Sequence, residues 1–271
     1  MAIAFNAAQF KKTVQAQKPK AESLTARTEI QQESKTVFDL SKAPYSIKRY
    51  TPNEGVNWFD VVGFYLDNPE TPDVFSRDRR IGDFTYGIRA FTHRGNQASN
   101  HTPHICLKRN YGRKCPRCEE YFLPPEKGGT FVKGSQGSGN QDHASSDRLF
   151  LLVVPRESKG VPGDHVELFD APMHDKFGFP ILSRAVEMGN GEEPVFFWYP
   201  TEEGRTVQFE AYPGKMKGAW DFSKLMFIPR PEEVGIALAE KFSFPFDSLL
   251  IVPTEESMNR DLFGGKDSQQ S

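Results

Sequence analysis

Residues 84–122 read FTYGIRAFTHRGNQASNHTPHICLKRNYGRKCPRCEEYF, and the fold must be one that can hold this stretch. It contains all three cysteines (Cys106, Cys115, Cys118), three of the six histidines (His93, His101, His104) and five basic residues from Lys108 to Arg117. Cys115-Pro-Arg-Cys118 is a knuckle: two thiolates three positions apart grip one tetrahedral ion from a single turn of chain. With Cys106 as a third ligand, a closed shell needs one more group, and a nearby histidine supplies it. His93 is preferred because it ends a strand-patterned segment and the twelve residues before Cys106 form a loop able to return. His101 and His104 are the alternatives; His104, two positions from Cys106, would form a tight chelate. Three thiolates and one imidazole leave no open position, so a single zinc ion here is structural rather than catalytic and binds as the loop folds. A redox Cys-x-x-Cys would open a helix after a buried strand, and the preceding KRNYGRK is not such a strand.

Composition bounds the rest. At 271 residues the chain is long enough for one large domain with appendages. Its hydrophobic content of 37% is low for a wholly globular chain, which predicts loose ends beside a real core. Three clustered cysteines argue against a disulfide framework and for a reducing compartment. No apolar run approaches 18 residues and MAIAFNAAQFKK lacks a secretory pattern, so a soluble cytoplasmic protein with no membrane partner is expected. The net charge of −2 hides a gradient. Residues 1–50 carry nine Lys/Arg against four Asp/Glu, and residues 231–271 carry three against eight. A basic front and a basic metal loop suit a polyanion, and an acidic end suits a protein partner or an internal mimic of that polyanion.

Along the chain, residues 1–35 read as a flexible basic arm. Strand patterns follow in VFDL, APYSIKRYTP, VNWFDVVGFYL and FTYGIRAFTH, punctuated by Pro and Gly. Residues of about 127–147 are Gly/Ser/Gln-rich and predict a flexible loop. RLFLLVVPR and GDHVELFDAP predict adjacent strands, and the segment after Pro180 a short helix. EPVFFWYPTEEGRTVQFEAYP predicts two strands around a turn, with KGAWDFSKLMFIP extending that sheet. PEEVGIALAEKF carries the start signals of an amphipathic helix, and residues 251–271 predict a disordered, mildly acidic tail. The core therefore spans 36–250, with the metal subdomain at about 84–125. Short strands and few helices predict an α+β, mainly β domain built on a barrel or sandwich, an oligonucleotide-binding barrel among them.

The spacing His93-x12-Cys106-x8-Cys115-x2-Cys118, closed by YGRKCPRCEEYF, resembles the zinc segment of the single-stranded DNA-binding, helix-destabilising proteins of T-even-type tailed phages. YSIKRYTPNEGVNWFDVVGF and HVELFDAPMHDKFGFPILSRAVEM are similar in character to that family's flanks. The resemblance implies an oligonucleotide-binding (OB-fold) barrel with an inserted zinc subdomain. It also implies coating and protection of unwound DNA in phage replication, recombination and repair, in the cytoplasm of the infected bacterial host. It further implies self-association on DNA through the N-terminal arm and replication partners for the C-terminal tail. The arm here lacks a dense Lys/Arg cluster and TEESMNRDLFGGKDSQQS is only mildly acidic, so arm and tail functions follow less directly than DNA binding.

Such binding needs cations along the phosphates and aromatic faces for the bases. The expected groove takes charge from Arg77, Arg79, Arg80, Arg89, Lys108, Arg109, Arg113 and Lys114, with Tyr86, Phe91 and Tyr111 as stacking surfaces. No enzymatic turnover is implied, since no catalytic carboxylate cluster accompanies the knuckle. The alternative from another class is a phage structural or assembly protein in which zinc merely staples a subdomain.

Overall fold

The computed structural model describes residues 36–72, 80–94, 102–122, 145–157, 162–173, 178, 181, 197–201, 204–214 and 220–263. The arm 1–35, Arg77, Arg79, His101, the loop up to residue 144, most of the helix expected after Pro180 and residues 264–271 lie outside them. In chain order the described strands are β1 (Lys48–Arg49), β2 (Gly55–Val61), β3 (Phe64–Tyr65), β4 (Phe84–Thr85), β5 (Gly87–His93), β6 (His104–Ile105), β7 (Ser145–Arg156), β8 (Glu167–Pro172), β9 (Arg205–Pro213) and β10 (Trp220–Pro229). The helices whose bounds are described are α1 (Leu107–Tyr111), α2 (Pro116–Phe122), α3 (Glu232–Phe242) and α4 (Glu255–Phe263). None of these helices is long and apolar enough to cross a membrane.

β7 is the axis. Its apolar run Leu149–Val154 is buried on both faces, with Phe150, Leu152 and Val154 in one cluster and Leu149, Leu151 and Val153 in the other. Alternation along a strand sends successive side chains to opposite faces, so a continuous apolar run needs cover on both. One edge of β7 pairs with β8. The other is shared: Ser145–Leu151 pair with β5 and Val153–Arg156 with β2. From β2 the sheet continues through β9 to β10, and β1 adds in parallel beyond β8. β3 and β4 form a separate two-stranded sheet.

The fold is thus α+β and strand-rich, but the expected OB-fold barrel is not formed. Among the described residues the order β1-β8-β7-β2-β9-β10 ends on two edges that do not pair with each other. β1 is only two residues long and is spent on β8, while β10 pairs along β9 with a register shift between Ser223 and Met226. Strand alternation predicts which face is buried but carries no information on whether the outer strands meet. Other departures are local. VFDL gives a bridge from Phe38 to Leu250 and a 3-10 turn at Leu40–Lys42 rather than a strand. β7 begins at Ser145, inside the expected loop. Phe197–Tyr199, the end of the expected first strand of a hairpin, is not strand. The expected disordered tail instead opens with α4. Thr254 and Ser257 cap it reciprocally, the Ser257 N–H donating to Thr254 Oγ1 (3.1 Å) and the Thr254 N–H to Ser257 Oγ (3.0 Å). Glu255 and Glu256 favour its N-terminus.

Where β2, β7 and β9 meet, Asp60 is wholly buried. Its Oδ2 accepts from Arg156 Nε at 2.6 Å, and its Oδ1 accepts from Thr206 Oγ1 at 2.7 Å and Arg230 Nη1 at 3.4 Å. Burial holds the Arg230 guanidinium below its ordinary pKa, opposed by Asp60 and reinforced by Arg156 and Arg205. A carboxylate held by two buried guanidiniums fixes the β2–β7–β9 junction, and removing it strands both cations. We expect Asp60→Ala to cost about 3–5 kcal/mol, read as a lower urea midpoint with an unchanged slope. An unchanged midpoint would contradict this role.

Candidate metal centre

Four side chains converge at the end of β5. His93, Cys106, Cys115 and Cys118 are all buried, and their ligand atoms lie within 4.8 Å of one another. Cys106 Sγ is 3.5 Å from Cys118 Sγ, and His93 Nε2 is 3.3 Å from Cys115 Sγ and 3.6 Å from Cys118 Sγ. A tetrahedral ion with metal–sulfur bonds of about 2.3 Å and metal–nitrogen bonds of about 2.0–2.1 Å requires edges of roughly 3.8 Å and 3.5 Å. Three edges, at 3.3–3.6 Å, lie close to that outline and all lie within 4.8 Å, so the cluster is geometrically compatible with a four-coordinate metal site. His93 is the histidine that joins it; His104 is paired across β6 to His93 through the backbone and stays outside the cluster.

Local structure explains why the four groups meet. Register pairs His93 with Ser145 of β7 and His104 of β6, which holds the imidazole at a fixed strand end. The Cys106 N–H donates to the Phe91 carbonyl at 2.8 Å, and its sulfur accepts from the Arg109 N–H at 3.4 Å, capping α1. Asn110 completes the junction: Oδ1 accepts from the Phe91 N–H at 2.9 Å, and Nδ2 donates to the carbonyls of Phe91 and Cys106, both at 2.8 Å. Gly112, at φ 64°, ends α1 in the left-handed conformation that glycine adopts without strain. Pro116 then opens α2, where a missing N–H costs nothing, and places Cys115 and Cys118 either side of that turn. From the far end of the chain Met258 of α4 packs fully buried against the three cysteines.

The electrostatics point the same way. Burial disfavours a charged His93, but the thiols of Cys106 and Cys115 outweigh it and carry its pKa up to about 9. Hydrogen bonds with Cys106 and Cys118 hold the Cys115 thiol far below its ordinary value, and Cys106 and Cys115 push Cys118 far above it. The three thiols repel one another once deprotonated, and a divalent cation at their centre would remove that repulsion.

The residues expected to contact DNA divide. Lys108, Arg109, Arg113 and Lys114 are exposed on the loop between the ligands, and Arg80 is exposed ahead of β4. Arg109 lies over the Phe91 ring, its guanidinium carbon 3.8 Å from the centroid. Arg113 reaches Glu70 at 3.1 Å, and Lys114 pairs with Glu255 of α4. The Tyr111 hydroxyl donates to the Glu70 carbonyl at 2.8 Å. Arg89 forms a fork with Asp147, with contacts of 2.5–3.1 Å. Tyr86 is a core residue, its ring 4.2 Å from that of Trp198, so it offers no face for a base. The structure adds what the sequence did not single out: Asn110, the buried Arg117 and Met258. Only Asn110 carried a signal, an amide four residues after a cysteine at a helix start.

We expect the full chain to bind one equivalent of Co(II) with the intense thiolate absorption of a tetrahedral site, and His93→Ala or Cys118→Ser to abolish tight binding. His104→Ala should keep the wild-type stoichiometry and spectrum; loss of metal in that variant alone would contradict the assignment of His93. The chain matches no protein-family model and no curated protein.

Proposed function

We propose that this protein binds single-stranded DNA without turnover, through a basic loop that a structural zinc ion holds against the sheet. The observation that carries this is the loop itself. Its ends are held by three thiols and an imidazole whose ligand atoms lie within 4.8 Å of one another, and between them it exposes Lys108, Arg109, Arg113 and Lys114 beside Phe91 and Tyr111. Three sulfurs and one nitrogen are a donor set for zinc, with no position left for a substrate. A loop already ordered by metal loses little chain entropy when it meets a ligand.

A half-open cleft of about 350 Å³, lined by Glu70, Leu107, Arg113, Lys114, Val252 and Glu255, lies beside these cations. The Arg113–Glu70 and Lys114–Glu255 pairs are exposed and, screened by solvent, contribute little to stability, so phosphates can replace the carboxylates. The ligand spacing shared with the T-even-type phage single-strand-binding proteins supports the same ligand. It extends by analogy to replication, recombination and repair in an infected bacterial cell, with self-association through the arm and replication proteins at the tail. The open sheet departs from that family's barrel, so the likeness bears on the metal module and its ligand rather than on the whole architecture.

A second function, a zinc-stapled assembly protein, draws on a specific observation. Glu70, Glu255 and the interior already engage Arg113, Lys114 and Arg117, as a staple would. Fluorescence anisotropy with oligo-dT and a matched duplex, at two salt concentrations and with or without a chelator, separates the two. Single-strand binding should weaken with a log–log salt slope of about −0.7 per phosphate engaged, and chelation should lower affinity. Equal, weak binding to both nucleic acids at every salt concentration would favour the assembly protein. Undiminished binding by the chelated chain would contradict the metal's role.

A further inference from the structure

Arg117 stands between the two knuckle cysteines in sequence, in the first turn of α2, and it heads the largest fully buried side chains of the described residues. A guanidinium remains charged at any physiological pH, and burying it beside a site of opposite net charge offsets part of its desolvation. Its Nη1 donates to the carbonyl of Arg94 at 2.7 Å, the residue that follows His93. The side chain therefore runs from the Cys-x-x-Cys turn to the strand end that carries the histidine ligand, spanning the two halves of the cluster.

Charge arithmetic gives this placement its meaning. Three thiolates, a neutral imidazole and a divalent ion sum to −1, in a site whose four ligands are all buried. One guanidinium brings the sum to zero. We infer that Arg117 is the charge-balancing and positioning residue of the metal centre, neutralising the tris-thiolate site while tying the His93 strand end to the knuckle. It is not a nucleic-acid contact, although the basic run from Lys108 to Arg117 suggests one by sequence. The inference rests on the cluster holding a divalent metal, as proposed above. Partners that orient and balance metal ligands typically change affinity by 10–100-fold when removed.

The test is chelator competition for Zn(II), with Co(II) spectra recorded in parallel, on the full-length wild type, Arg117→Met, Arg117→Gln and Arg117→Lys. The wild type comes first: no metal uptake there would overturn the metal site itself, independently of Arg117. Given uptake, the neutral variants should bind 10–100-fold more weakly while their Co(II) spectra keep the tetrahedral three-sulfur pattern. Arg117→Lys, which keeps the charge, should recover most of the loss. Should Arg117→Met fail to fold, Arg117→Gln decides, since it retains a donor for the Arg94 carbonyl. Wild-type affinity in a folded neutral variant would overturn the inference. So would a loss in Arg117→Lys as large as in the neutral variants, which would make the role one of packing alone.

Discussion

Three thiolates and a neutral imidazole cannot share a protein interior without a cation among them. The geometry around His93, Cys106, Cys115 and Cys118 satisfies that constraint at both ends of the loop. β5 delivers the histidine on a strand held by β7 and β6, and the cysteines arrive on two short helices that would be marginal alone. Short helices gain their stability from what they pack on, and here that is the ligand cluster, Leu107 and Met258.

The loop is tied to the body of the protein from two sides by different physics. Glu70, from the turn after β3, receives both Tyr111 and Arg113. That turn is itself anchored by the buried carboxylate of Asp247, whose Oδ2 accepts from the N–H groups of Asp67 and Asn68 at 2.9 and 2.8 Å. On the other side, α4 presses Met258 into the cluster and brings Glu255 to Lys114. Solvent-exposed ion pairs contribute little to stability, so they orient the loop's cations, whereas burial around the cysteines holds it down. Cations oriented but weakly held suit exchange with an anionic ligand, whereas Arg117 is fully buried and out of reach of one.

The sequence was most legible where chemistry constrains spacing. The knuckle Cys115–Cys118, the third ligand Cys106 and the choice of His93 over its neighbours all followed from ligand count and from the rigidity of a strand end. The apolar run of β7 and the Pro-Glu-Glu start of α3 were equally readable, because burial and capping write themselves into local pattern. Barrel closure was not readable: it depends on which edges meet, and among the described residues β1 and β10 do not pair. Nor was the fate of individual side chains. Tyr86 and Arg89 sit on the same strand pattern, yet one is packed on Trp198 and the other is clamped by Asp147, partners more than 50 residues away that no local pattern names. Met258 likewise lies in a stretch whose polarity suggests disorder and is ordered by a cluster 140 residues earlier in the chain.

X-ray absorption at the zinc edge of the metal-loaded full chain tests the central claim most directly. The expected first shell is three sulfurs at about 2.3 Å and one nitrogen at about 2.0–2.1 Å, with no oxygen. A shell containing water or carboxylate oxygen, or fewer than three sulfurs, would contradict the closed structural centre on which the basic loop depends.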